Sequence, residues 1–240
     1  MKRLLYILLL VLCAYPAKSQ VRTRELYLLH YDHQRTWRFG MTLGLHLADF
    51  AVTNTLTTAH IPYMDPMVLQ AAVTRPGLGF NIEAIIDYRV VRNFHLRTGG
   101  GICFGSRELT FYEAASKETV HTMPFDSYYI TFPFLVKYSA NRYSNFRPYM
   151  IGGANLRYNF GGRLNESRGV YFALNPIEPF YDFGVGFDLF FYYFKLSVEL
   201  KYSGGIINVA SKNVAERYEG YRDAISRMNS RLLLLSFHFE

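Results

Sequence analysis

Cysteine is nearly missing from this chain, with two residues in 240, Cys13 and Cys103. There is one Trp, and past the first residues no apolar run is long enough for a membrane-spanning helix. Internal repeats, low-complexity tracts and Pro- or Ser-rich linkers are missing too. Each absence excludes something. Without Cys13, which lies in the leader described below, Cys103 has no partner, so a disulfide framework is excluded even in an oxidising compartment. Without a spanning helix, any membrane crossing falls to strands. Without linkers or repeats, the folded part reads as one domain.

The one apolar run stands at the start. Lys2 and Arg3 precede Leu4 to Leu12, and the small residues Ala17 and Ser19 follow, which is the grammar of a secretory signal peptide. Leu12 is bulkier than the residue that lipidation sites place before their cysteine, so cleavage is expected after Ser19. The expected organisation is a signal peptide over 1–19, a periplasmic segment over 20–37 and an outer-membrane barrel over 38–240. Losing Lys2, Arg3 and Lys18 with the leader takes the formal charge from +7 to +4. So small an excess is no argument for nucleic acid.

Aromatic residues are what the chain has in quantity, with 20 Tyr and 20 Phe, yet its mean hydropathy is near zero. An exported chain of this kind is either a soluble β domain or a membrane barrel with alternating strands. From Arg38 to Phe50 the residues Phe39, Met41, Leu43, Leu45 and Leu47 share one face, and Arg38, Gly40, Thr42, Gly44, His46 and Ala48 share the other. The same alternation recurs over Leu78–Tyr88, Phe94–Phe104, Ser127–Tyr138, Phe146–Tyr158, Tyr181–Phe191, Phe194–Tyr202 and Leu233–Phe239. Eight runs result, joined alternately by long segments and by the short turns Arg89–Asn93, Ser139–Asn145 and Tyr192–Tyr193. Phe39, Tyr88, Phe94, Tyr138, Phe146, Phe191, Phe194 and Phe239 collect beside the short turns or chain ends with the parity of the apolar face, as an interfacial girdle requires. A soluble lipocalin-like barrel would give aromatics no reason to collect at one end. The fold expected is therefore all-β, an eight-stranded antiparallel transmembrane barrel, located in the outer membrane with both termini periplasmic.

Eight strands enclose a lumen that side chains can fill, so diffusive solute transport is not expected. The inward set contains Glu83, Asp87, Asp182, Asp188 and Glu199 against Arg97, Lys137, Arg147, Arg157, Lys195 and Lys201. Balanced charge of this kind is expected to form a structural network of buried pairs rather than a proton path or a hydrolytic site. His30, Asp32 and His33 in the tail and the inward His95 and His238 show no recurrent metal spacing. Cys103 points inward with no local base to activate it. Membrane-barrel hydrolases need a positioned nucleophile system, and neither a His-x-Ser pair nor a Gly-x-Ser-x-Gly elbow is present. No enzymatic activity, cofactor, metal or small-molecule substrate is expected.

Val214, Tyr218, Tyr221, Ile225 and Met228 fall at helical spacing in the last long connection. They predict a short amphipathic helix outside the barrel, which either docks a partner or caps the rim.

Several segments carry a resemblance. These are Phe94-His-Leu-Arg-Thr-Gly-Gly-Gly-Ile-Cys-Phe-Gly-Ser-Arg-Glu-Leu-Thr-Phe-Tyr112, Phe134-Leu-Val-Lys-Tyr138, Phe146-Arg-Pro-Tyr-Met-Ile-Gly-Gly153, Phe183-Gly-Val-Gly-Phe-Asp188 and Phe194-Lys-Leu-Ser-Val-Glu-Leu-Lys201. In their order, and in the Arg-Pro-Tyr with its Gly-Gly pair, the chain resembles the PorT family of outer-membrane barrels of the type IX secretion system. Many members of that family carry Pro after the glycines of the third strand, where this chain has Gly101 and Ile102. The resemblance implies a role in exporting cargo with a C-terminal sorting domain, such as secreted cysteine proteases, with outer-membrane lipid and other type IX components as partners. A stand-alone structural or adhesive barrel is the alternative expectation.

Overall fold

The computed structural model describes residues 25–28, 35–55, 58–59, 66–73 and 75–240. The leader and the tail residues His30, Asp32 and His33 lie outside the described residues. Eight long strands form a ring: β1 (Trp37–Asn54), β2 (Gly77–Arg89), β3 (Phe94–Glu113), β4 (Thr119–Ser139), β5 (Phe146–Asn159), β6 (Ile177–Phe190), β7 (Lys195–Gly205) and β8 (Ile225–Phe239). Each pairs antiparallel with the next, and β8 returns to β1 from Met41↔Phe239 to Asn54↔Ile225. The ring is closed, and the all-β eight-stranded antiparallel barrel foretold by the alternation is the fold.

The two-residue period decides which side chains meet lipid. Leu43 is 41% exposed while Thr42 beside it is 1% exposed. Met41, Leu45, Phe80, Phe134, Phe183 and Leu235 share the outward face and are likewise exposed. At the short-turn end the girdle rings stand in contact: Phe94 with Tyr138 at 4.8 Å between centroids, Phe191 with Phe194 at 5.0 Å. Trp37, with which β1 begins, adds to the girdle against Tyr88 at 4.6 Å. No helix of the described residues is long and apolar enough to cross a membrane.

Three strands, β3, β4 and β8, are much longer than the alternation suggests. The third run was expected to end at Phe104 and the fourth to begin at Ser127, but β3 and β4 continue as a paired hairpin through Leu109↔Met123 and Phe111↔His121. Their inward parity is kept while polarity inverts. Leu109, Phe111, Met123 and Phe125 are buried inside, and Ser106, Glu108 and Thr122 are exposed outside. This is what a strand in water requires, since apolar surface there gains by leaving solvent. A hairpin of Thr58–Ala59 and Met67–Ala72 pairs onto the upper edge of β3, and Phe172–Leu174 pairs with Ala210–Val214.

The last long connection also differs from expectation in extent. A short helix is present, α1 (Glu219–Asp223), but it does not run from Val214 to Met228. Val214 ends a short strand, Tyr218 ends a 3-10 turn, Tyr221 lies in α1, and Ile225 and Met228 belong to β8. A longer isolated helix would still be marginal in water. Pairing of Met228 with Val52 instead extends the ladder that closes the ring.

Leu43→Arg, placing a charge on the lipid face between Ile82 and Phe237, should cost about 2–4 kcal/mol if Leu43 lies near the bilayer midplane. Urea titration of the barrel folded in liposomes measures it, and an unchanged midpoint would contradict a lipid-facing Leu43.

Candidate functional site

All eleven charged residues expected in the lumen are buried there: Glu83, Asp87, Arg97, Lys137, Arg147, Arg157, Asp182, Asp188, Lys195, Glu199 and Lys201. The strand period points them inward, and ring closure brings side chains from distant strands within reach. They form tiers along the axis.

Nearest the short turns, Lys137 Nζ donates to both oxygens of Asp188 at 2.8 and 3.0 Å, and Arg147 approaches the same carboxylate at 3.5 Å. Ser197 donates a further hydrogen bond to Asp188 at 2.7 Å. Arg97 spans Asp87 at 3.6 Å, Glu199 at 3.1 Å and Glu240 at 3.5 Å. Lys195 pairs with Glu240 at 2.6 Å, and His95 pairs with Asp87 at 2.8 Å.

In the middle tier the Tyr149 hydroxyl donates to Glu199 at 2.9 Å, beneath the Lys137 ammonium 3.7 Å from the ring centre. Gly186 makes room for this ring, since a Cβ there would come 2.6 Å from the phenol oxygen. His238 stands 3.3 Å from Glu199 and 2.8 Å from the Thr42 hydroxyl. Lys201 lies 3.6 Å from Asp182, and Asn81 donates to Glu83 at 3.0 Å.

The upper tier centres on residues that the alternation did not single out. Arg107 donates to Ser127 at 2.8 Å, to Ser230 at 2.9 Å and to the Tyr129 hydroxyl, and its guanidinium covers the Phe50 ring at 3.8 Å. Ser230 in turn donates to Glu178 at 2.7 Å. Arg157 donates to Ser203 at 2.8 Å and lies over Phe180 at 4.3 Å. Arg107 and Glu178 were missed because the third run was stopped at Phe104 and the sixth begun at Tyr181. Continuing the same parity a few residues would have found both.

Apolar side chains close the long-loop mouth above these tiers. Phe50, Leu69, Phe111, Phe125, Phe172 and Met228 form the buried cluster. Tyr221 and Ile225 are buried in it, and Val214 and Tyr218 pack against it. Their apolar side chains turn inward across the rim, so the geometry is that of a cap. Burial pushes the Tyr221 phenol up to about 12. At the opposite end Phe190 is buried beneath the Arg142 guanidinium, 3.7 Å from the ring centre, and Arg142 also holds the Tyr27 carbonyl at 2.5 Å.

Chemically, the lumen holds ion pairs around Asp87, Asp182, Asp188, Glu199 and Glu240, with Glu83, Arg107 and Arg157 held by neutral partners. Cys103 is free and buried. Among the described residues no three of His, Cys, Asp and Glu gather as metal ligands.

A closed ring with a greasy exterior and an ionic interior defines a transmembrane β-barrel protein. Residues 19–211 match the family model described as an outer membrane protein beta-barrel domain, and the chain belongs to that family. The protein is thus an outer-membrane barrel. Among solved structures it is similar to neisserial surface protein A, at 12% identity and a TM-score of 0.41 over 85% of this chain and 98% of that one. It is also similar to the outer membrane protein AlkL solved in lipid bilayers, at 14% identity and a TM-score of 0.39 over 94% of each chain. The N-terminal barrel domain of Pseudomonas aeruginosa OprF matches at 9% identity and a TM-score of 0.33, over 82% of this chain and 96% of that one. No curated protein matches the chain.

Removing one partner of a buried pair leaves the other charge uncompensated, at about 3–5 kcal/mol. Asp188→Asn, which strips the carboxylate from Lys137 and Arg147, should destabilise the folded barrel by that amount. The double change Lys137→Met with Asp188→Leu should recover part of the loss in urea titrations in liposomes; a neutral single variant would show that the pair carries no such cost.

Proposed function

We propose that this protein is an accessory barrel of a protein-export machine, the type IX secretion system, as its resemblance to the PorT family implies. The observation that carries the reading beyond resemblance is the sealed interior. Charged tiers fill the lumen, and Phe50, Phe111, Phe125 and Phe172 close one mouth. A lumen filled and capped in this way among the described residues suits action on partners through loops and outer wall rather than conduction of cargo. In this reading the leader is removed, both chain ends and the short turns face the periplasm, and the long loops face outward. The barrel is not an enzyme. Its partners are lipid and other secretion components, and it takes neither nucleic acid nor a small-molecule substrate.

The alternative is a stand-alone structural or adhesive barrel. One observation favours it: the long loops build an ordered surface in which Tyr171 stacks on Tyr218 at 3.9 Å and His121 packs on Tyr171 at 4.9 Å. Such a surface suits ligand contact without any machine attached. Pull-down in mild detergent separates the two, since the export reading requires co-purifying secretion components.

Deleting the protein should strand cargo with C-terminal sorting domains in the periplasm, measured by immunoblotting of cell fractions. Unchanged cargo at the surface and in the medium would remove the secretion reading.

A further inference from the structure

The outer wall at the seam of the ring breaks the apolar rule in an ordered way. Toward the long loops, the outward residues of β8 run Leu235, Leu233, Arg231, Asn229, Arg227. Beside them β1 presents Leu45, Leu47, Asp49, Ala51 and Thr53, in the register Leu47↔Leu233, Asp49↔Arg231, Ala51↔Asn229 and Thr53↔Arg227. On the other side β7 places Tyr202 against Leu233 and Gly204 against Arg231.

Two hollows lie one above the other on this wall. The upper, about 920 Å³, is lined on the wall by Arg227, Asn229, Arg231, Tyr181, Tyr202 and Gly204, and it is bounded also by Ala71–Val73 at the end of the added hairpin and by the buried Phe50 and Ser230. Small side chains make it: Ala51 and Thr53 stand low, and the Tyr181 ring lies across Gly204, where a Cβ would come 2.3 Å from it. The lower hollow, about 120 Å³, is walled by Leu45, Leu47, Leu78, Leu200, Leu233 and Leu235.

Depth decides what the arginines are for. A strand rises about 3.3 Å per residue and tilts by about 40° in a barrel. From Phe239 in the girdle, Arg231 then stands about 20 Å and Arg227 about 30 Å across a band about 25 Å tall. The two cations straddle the headgroup level of the leaflet at the long-loop end, with the leucine channel in the acyl region beneath. Arg227 is already oriented, donating to Asn229 Oδ1 at 2.8 Å and to the Ile206 carbonyl at 3.1 Å. Arg231 makes no hydrogen bond or ion pair within 4.0 Å among the described residues. Its register partner Asp49 turns one oxygen to the Phe50 amide at 2.6 Å.

We propose that this wall is a binding site for a phosphorylated glycolipid of the membrane. The sugar head sits in the upper hollow with its phosphates on Arg227 and Arg231, and one acyl chain lies in the leucine channel. Guanidinium forks suit phosphate. The two Cα atoms stand about 13 Å apart on one strand, which fits a head with phosphates at both ends better than one compact phosphate. Thr53 beside them offers a hydroxyl to a sugar hydroxyl, while Asn229 between them is braced, donating to the Gly205 and Ile207 carbonyls and accepting from Arg227. A soluble anion would use neither the leucine channel nor the position at the leaflet boundary. This inference rests on membership of the outer-membrane family and on the long loops facing outward, and it does not need the secretion reading.

The test uses the full mature protein in nonionic detergent, with diphosphoryl lipid A, its dephosphorylated form and inorganic phosphate as probes, and bound lipid counted by native mass spectrometry. One diphosphoryl lipid A should bind per barrel, and R227Q/R231Q should weaken it by at least about tenfold. L47W, which fills the channel, should weaken it severalfold. D49N, which removes the competing carboxylate, should tighten it. R168Q, removing an exposed arginine paired with Asp126 elsewhere on the rim, should change nothing. Heat-dependent gel mobility confirms that each variant is folded, and D49N provides a gain that misfolding cannot imitate. Equal binding of the dephosphorylated lipid, retention by R227Q/R231Q, or displacement by equimolar inorganic phosphate would each overturn the proposal.

Discussion

Inside a bilayer no water is present to satisfy a peptide group, so every backbone N–H and C=O there must find its partner within the protein. The pairing of β1 with β8 meets that demand by removing the last free edge. The rest of the architecture follows from it. A closed ring of eight has an interior only as wide as its side chains. Alternate residues must occupy that interior, and polar residues placed there must pair with one another because nothing else is within reach. The ladder that satisfies the backbone therefore also assembles Lys137, Arg147 and Ser197 around Asp188.

The same backbone rule serves two solvents. At membrane depth the barrel is ionic inside and apolar outside, because lipid solvates Leu43 and Phe134 as well as a protein core would. Where β3 and β4 rise beyond the lipid, the hydrophobic effect acts in the ordinary direction. Leu109, Phe111, Met123 and Phe125 then turn to the axis without any change of parity. The mouth is sealed by a small water-soluble core built on top of a membrane protein. Residues of the long connections pack into that core, and this gives the rim a defined shape.

With its interior engaged in internal pairing, the barrel presents three distinct surfaces to its surroundings. Its rim offers stacked tyrosines, its short-turn end carries the Tyr27 segment on Arg142 and Asn145, and its seam wall carries two arginines above a leucine channel. These surfaces face different environments, and each is compatible with the others being used at the same time.

Much of this could be foretold from residue order. The strand count, the girdle, the inward placement of all eleven charged residues and the lipid-facing leucines follow from a period of two, a local property that any short window reveals. Which charges meet could not be foretold, because Arg97 reaches Glu199 across more than a hundred residues and only ring closure sets that distance. Arg107 and Glu178 escaped notice for a related reason: toward the long loops the polarity inverts, so the alternation fades where the strands continue. Tyr149 and Glu240 lie on the inward face of runs that were drawn, and their partners Glu199 and Lys195 are set by ring closure. Val214, Tyr218, Tyr221, Ile225 and Met228 show the opposite failure, a convincing helical spacing that strand pairing overrides for Ile225 and Met228. Local periodicity is written in the chain; the contacts that decide length, partner and depth arise only when distant strands are joined into one ring.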